Sequence, residues 1–262
     1  MNLLWQDVKY GLRALNRSRG LIAIAVLSLA IGIGANTSIF SAVDVFMLRP
    51  LPYPDSERLQ RVWITNADRG WSQTSFTAPD FRDLQEQSQT MQVAAARGGT
   101  FSLSGEFEAE RLGGFYVTPD FFQVLGVQPA MGRAFTREEG VPGKDRVIVI
   151  SHELWQGRFG ADPDLVGSDV LLDGSPTTVV GVMPEHFWYL IPNQDVWRPL
   201  SFTGEESRES YFLSVLARVG EGSTRDQALG EARQIMARIA QAYPESSAGH
   251  GVTMMTLHED VF

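Results

Sequence analysis

From Leu21 to Val43 the chain reads LIAIAVLSLAIGIGANTSIFSAV, 23 residues without a charge. A helix rising 1.5 Å per residue crosses a hydrocarbon core of ~30 Å in about 20 residues, so this run is long enough to span a membrane. Its flanks are unequal. Lys9, Arg13, Arg17 and Arg19 precede it against only Asp7, and Asp44 follows it. The positive-inside rule then predicts a cytoplasmic segment over 1–20, a membrane helix over 21–43 and an extracytoplasmic region over 44–262. Two alternatives compete. A cleavable signal peptide has an apolar core of only ~7–15 residues before a small-x-small site. Gly32-Ile33-Gly34 offers such a site, but the helical pattern runs on for about two turns. A buried core helix does not normally carry four cations immediately upstream.

Inside the span, Ala30, Gly34, Ser38 and Ala42 recur every fourth residue and line one side of a helix. Small residues at this spacing let helix backbones approach closely in lipid, so the stripe predicts a helix-packing face. Chance in an Ala/Gly-rich span is the competing reading. Upstream, Leu4, Val8, Leu12 and Leu15 lie on one side of a short helix and Lys9, Arg13 and Arg17 on another. Such an amphipathic helix rests on lipid or contacts a cytoplasmic partner, with Trp5 suited to the headgroup level.

The formal charge of −9 becomes −12 once the basic first 20 residues are set aside. A dedicated nucleic-acid binder carries a basic footprint, so nucleic acid is not an expected partner. The chain has no cysteine, which excludes disulfides, a thiol nucleophile and Cys-ligated metal centres.

After the span, Arg49-Pro50-Leu51-Pro52-Tyr53-Pro54 places proline at every second position. Proline fixes φ and holds its predecessor extended, so this is a stiff strut. Leu59 to Thr65 reads as a strand. Thr77 with Asp80, and Pro79 in the first turn, predicts a helix start, with Phe81, Leu84 and Met91 on one helical face. Another strand is expected before Gly98-Gly99. The C-terminal end repeats the order. Tyr211 to Val219 alternates, with Leu213, Val215, Ala217 and Val219 on one side. Thr224 and Gln227 form a capping-box signature. Leu229, Ala232, Ile235, Met236, Ile239 and Tyr243 give an apolar face that Pro244 ends, and Val252 to Leu257 is a last strand.

Between these β-α-β halves, residues 113–200 hold 8 of the 13 prolines and 11 of the 25 glycines. Val147–Ile150 reads as a buried strand and Val170–Val182, around Asp173-Gly174, as a hairpin. The organisation expected is a split α/β (or α+β) domain, with halves at 56–112 and 201–262 around an inserted subdomain at 113–200.

Catalytic signatures fail one by one. Gly140-Val-Pro-Gly143-Lys144-Asp145 has neither the spacing nor the hydroxyl of a phosphate loop, and there is no dinucleotide fingerprint or nucleophile elbow. His152-Glu153-Leu154-Trp155-Gln156 lacks the second histidine of a zinc helix, and His186, His250 and His258 stand apart. Glu106, Glu108 and Glu110 alternate as a solvated strand face does, and Glu205, Glu206 and Glu209 sit in a polar loop. Phe121, Phe122, Trp155, Phe159, Phe187, Trp188 and Trp197 read as core and lid packing. No catalytic residue, cofactor or metal site is expected.

The span ending GIGANTSIFSAVDVFMLRPLPYP and the strand LQRVW resemble the MacB/FtsX-like ABC transporter permeases, in particular their duplicated-permease branch. The resemblance continues through Phe121-Phe122-Gln123-Val124-Leu125-Gly126-Val127-Gln128-Pro129 and Gly132-Arg133-Ala134-Phe135. It extends to Val149-Ile150-Ser151, Leu154-Trp155, Arg158-Phe159-Gly160, Gly167 and Gly181-Val182-Met183-Pro184, over nearly the whole chain. It implies a porter-like periplasmic core domain with an inserted small subdomain, held in the inner membrane. A separate ATP-binding subunit would hydrolyse ATP, and the remaining permease helices or a second permease copy would pack on the membrane helix. Such permeases carry further membrane helices after the outer domain, so the resemblance implies a fragment of a longer permease. A truncated gene product is one alternative. A signal-anchored binding or sensing domain, acting without a transporter, is the other.

Overall fold

The computed structural model describes residues 20, 24, 26–34, 37, 53–105 and 109–261. The chain divides into two compact bodies, Met1–Pro50 with Phe262, and Leu51–Val261. In the first, residues 26–34 are helical, and Val26, Leu27, Leu29, Ile31 and Ile33 are all exposed. Among the described residues no helix is long and apolar enough to cross a membrane. Most of the remainder of 21–43, and all of 1–19, lie outside the described residues.

The second body is built on one mixed sheet of eleven strands. It opens with β1 (Leu59–Asn66), β2 (Trp71–Thr74), α1 (Ala78–Gln87), β3 (Met91–Ser104) and β4 (Glu110–Val117). The middle adds α2 (Phe121–Leu125), β5 (Met131–Gly132), β6 (Val147–Ile150), α3 (His152–Phe159), β7 (Asp169–Leu172), β8 (Ser175–Val182) and β9 (Val196–Pro199). It closes with β10 (Ser214–Val219), α4 (Arg225–Ala242), α5 (Pro244–Ser247), β11 (His250–Thr256) and α6 (Leu257–Val261). Strand order is β11-β1-β10-β3-β4-β9-β6-β8-β5, with β2 on β1 and β7 on β3 and β8.

That order interlocks the two halves. β10 lies between β1 and β3, and β1 lies between β10 and β11, every neighbouring pair antiparallel. Each β-α-β half is therefore split by a strand of the other, and neither completes a sheet alone. Period-two alternation sorts the side chains. Val93 and Ala95 of β3 and Val215 and Ala217 of β10 face α1 and α4, whereas Ala94, Ala96 and Leu216 face α2. Both helices start on the signals expected. Thr77 accepts from the Asp80 amide, and Thr224 and Gln227 cap each other reciprocally. Ala228, Ala232, Ile235, Met236 and Ile239 are buried along α4, and full burial of each large side chain contributes roughly 1.5–3 kcal/mol.

The sheet continues through β9, β6 and β8, where β4 pairs β9 and β6 pairs β8 in parallel. The ladder is unbroken at residue 113, because β4 crosses it. Asp173 and Gly174, both at positive φ, make the tight turn of the β7–β8 hairpin.

Four local expectations are corrected. Met91 is not on the helix: α1 ends at Gln87, Ser88 turns extended, and Met91 opens β3 while still reaching the same core. β3 does not stop at Gly98-Gly99 but pairs through them with Phe115 and Gly114. Gly99 and, opposite it, Gly114 make room. A Cβ on Gly99 would lie 2.7 Å from the Tyr116 ring, and one on Gly114 only 2.0 Å from the Val196 carbonyl oxygen. Tyr243 ends α4 exposed, stacked by the Arg208 guanidinium at 3.7 Å. Leu257 begins α6 rather than ending the strand.

Candidate functional site

Tyr53, Pro54 and a short turn at Ser56–Arg58 precede β1. Because β1 and β11 run antiparallel with Gln60 opposite Thr256, the start of β1 lies beside the end of β11. Three arginines gather at this junction. Arg218 of β10 donates to the Val124 and Leu125 carbonyls at 2.6 and 2.8 Å, and to the Pro54 carbonyl at 3.1 Å. It thus satisfies carbonyls that the end of α2 leaves without helical partners. Gly126, left-handed at φ 73°, terminates α2 and lets the guanidinium in, since a Cβ there would stand 3.0 Å from it. Arg58 adds a fork onto the Val219 carbonyl at 2.9 and 2.8 Å. Burial, and then the neighbouring Arg58 cation, push the Arg218 guanidinium below its usual range, yet an arginine stays charged.

Arg61, in the middle of β1, is buried. It pairs with Asp260 of α6 at 3.0 Å, donates to Ser214 Oγ and to the Tyr189 hydroxyl at 3.3 Å, and lies 4.6 Å from the Trp63 ring centre. Trp63 Nε1 donates to the other Asp260 oxygen at 2.8 Å. Tyr53, the penultimate residue of the proline strut, is also buried and donates its hydroxyl to the Trp188 carbonyl. Burial first, then Tyr189, drives its phenol upward, so it remains a neutral donor. The result is a cluster of charged and hydrogen-bonded side chains that ties Tyr53–Arg58 and α6 to the sheet.

The residues singled out by sequence fall elsewhere. Ala30 and Gly34 lie on the exposed helical segment, and Ser38 and Ala42 lie outside the described residues. His152 opens α3 against Trp155, His186 is exposed beside Glu185, and His250 is buried with Tyr211 at 3.3 Å. Among the described residues no three His, Asp or Glu side chains converge as a metal site. Glu110 is not simply solvated, since it pairs with Arg158 at 2.7 Å, and Glu206 accepts from the Thr203 amide and hydroxyl and the Gly204 amide. Phe121, Phe122, Phe187 and Trp197 are buried as core. Sequence reasoning passed over the three arginines. The signal was a cation inside an apolar strand pattern, Arg61 in LQRVWIT and Arg218 in VLARV.

The model of the MacB-like periplasmic core domain matches residues 22–235. The macrolide export ATP-binding/permease protein MacB 1 of Yersinia pestis bv. Antiqua (strain Antiqua) is 27% identical over 229 residues, covering 82% of this chain and 34% of that protein. MacB of Burkholderia pseudomallei (strain 1710b) is 32% identical over 111 residues, 41% of this chain and 17% of the relative. The chain thus spans about a third of the length of the first of these relatives. Among solved structures, the periplasmic region of MacB from Actinobacillus actinomycetemcomitans superposes with a TM-score of 0.56 at 15% identity, covering 78% of this chain and 91% of that one. The extracellular domain of the noncanonic ABC-type transporter YknZ from Gram-positive bacteria gives 0.55 at 18% identity, covering 74% and 99%. Fold and sequence agree, and the chain belongs to the family of MacB-like periplasmic core domains.

Proposed function

We propose that this chain is the N-terminal part of an ABC transporter permease subunit, which passes ATP-driven motion to the export or release of a substrate outside the inner membrane. The observation that carries this reading is the junction. The first and last strands meet side by side, and Arg58, Arg218 and the Arg61–Asp260 pair tie the start and the end of the Leu51–Val261 body to one sheet. A sheet held in this way follows its anchors as one body, because hydrogen-bonded strands and packed cores deform little. The relatives named for export support export as the process.

In this reading the N-terminus is cytoplasmic, residues 21–43 cross the lipid, and residues 113–200 form a subdomain set between the porter-like halves 56–112 and 201–262. ATP is hydrolysed on a separate ATP-binding subunit. The Ala30/Gly34/Ser38/Ala42 stripe packs against the remaining permease helices or a second permease copy. The test is Arg218→Met in the transporter assembled with its ATP-binding subunit. ATP hydrolysis should continue while export falls at least about tenfold, the loss expected when a partly buried charged hydrogen-bond network is cut. Undiminished export with a folded domain would overturn the role given to the junction. Activity that persists without any ATPase would favour an anchored sensing domain instead.

A further inference from the structure

Residues 184–195, between β8 and β9, touch the junction on one side and a groove on the other. On the junction side, the Trp188 carbonyl accepts from the Tyr53 hydroxyl, and the Tyr53 ring meets Phe187 edge-on at 6.4 Å. The next residue, Tyr189, is fully buried, and its hydroxyl lies 3.3 Å from Arg61 and 3.5 Å from Ser214 Oγ. Two consecutive residues therefore bind the segment to the incoming chain and, through Arg61 and Asp260, to the last helix. On the far side, Asp195 accepts from the Ser151 hydroxyl at 2.8 Å, and Ser151 is the cap of α3. The His186 amide leans on Glu153 at 3.4 Å. Two adjoining hollows of about 450 and 480 Å³ lie along this side and share Glu153 and Asp195. Phe187, Trp188 and Pro192 line one, and Glu110, Leu112 and Arg158 the other. Burial, with Glu110 and Glu153 adding to it, raises the Asp195 carboxyl above the usual range.

The backbone of the segment is held away from its preferred conformation. His186, Leu190 and Asn193 all take left-handed φ, at 63°, 58° and 59°, although each carries a Cβ. Such residues persist only where surrounding contacts over-determine them. Here Trp188, Tyr189 and Asp195, linked to Tyr53, Arg61 and Ser151, hold the segment at both ends.

We propose that residues 184–195 are a relay, which carries a displacement of the chain at Tyr53 into the groove beside α3. The proposal rests on the transmission reading for the source of the displacement, and the groove is where that displacement is delivered. Tyr53→Phe keeps the buried ring and removes the link to Trp188.

Amide exchange on the full chain in lipid nanodiscs reads the effect. Loss of one hydrogen bond should speed exchange over 184–195 by roughly three- to tenfold, Asp195 included. The chain has no cysteine, so single labels are unambiguous. A spin label at Ile191→Cys should gain mobility in Tyr53→Phe, while one at Val141→Cys, exposed and outside the segment, should not. Tyr189→Phe should act in the same direction and serves as the test if Tyr53→Phe does not fold. Unchanged exchange over 184–195, a response that stops at Trp188, or equal loosening at Val141 would overturn the relay. Export that ignores Arg218→Met would sink the transmission reading alone, because these rates are measured without transport.

Discussion

Arg61 brings a guanidinium to a buried position on β1, and Asp260 meets it there. A buried ion pair gains little over a well-packed apolar pair, but deleting one partner strands the other in a medium that solvates it poorly. Asp260→Ala should therefore lower stability by about 3 kcal/mol in urea denaturation. Arg61→Met combined with Asp260→Leu should recover most of that loss. An equal loss in both would mean that shape rather than charge matters at this place. His250 poses the opposite problem, a titratable ring buried by choice of the fold. Burial lowers its pKa below the ordinary 6.5, outweighing the Asp80 carboxylate that pulls it up, and Arg69 pushes the same way as burial. The unfolded chain thus binds a proton that the folded one refuses. Stability is fully present above pH 6.5 and declines as pH falls from there toward the folded pKa. The urea midpoint should drop between pH 7.5 and 5.5, and His250→Gln should flatten that slope. A wild-type midpoint flat over that range would refute the assignment.

At the level of elements, the two long helices begin where polar side chains satisfy their free amides. Thr224 Oγ1 accepts from the Gln227 amide at 3.2 Å, and Gln227 Oε1 accepts from the Thr224 amide at 2.8 Å. Thr224→Ala should cost about 1 kcal/mol, seen as a lower thermal midpoint without loss of fold. These starts were legible because a capping box is a local code, complete within four residues. The alternation of β10 was legible for the same reason, since one face packs on α1 and α4. The continuation of β3 through Gly98-Gly99 was not. Glycine pairs usually punctuate strands, but Gly99 here accommodates the Tyr116 ring and lies opposite Gly114 of β4, a requirement set by a partner strand. Arg218 was equally opaque, because the carbonyls that hold it belong to α2 and the strut, more than 90 residues away in sequence.

For the molecule as a whole, membrane anchoring and sheet are separate problems. The proposed packing stripe belongs to the first. Leucine at Gly34 improves transfer into lipid but would fill the groove that the proposed stripe offers another helix, so Gly34→Leu should insert normally and fail to assemble in the complete permease. Ile31→Leu, off the stripe, should assemble. Detergent-resistant association separates the two, and normal assembly of Gly34→Leu would return the stripe to chance. The charge-free run, the basic flank, the helix caps and the β-α-β order of each half are set by residues close together in sequence, through periodicity and local hydrogen bonding. The interlocking of the halves, the meeting of β1 with β11 and the gathering of Arg58, Arg61 and Arg218 where β1 begins and β11 ends were decided by the tertiary structure alone. The reason is physical: a strand's alternation says which face is buried, but not which distant strand will supply its hydrogen-bond partners.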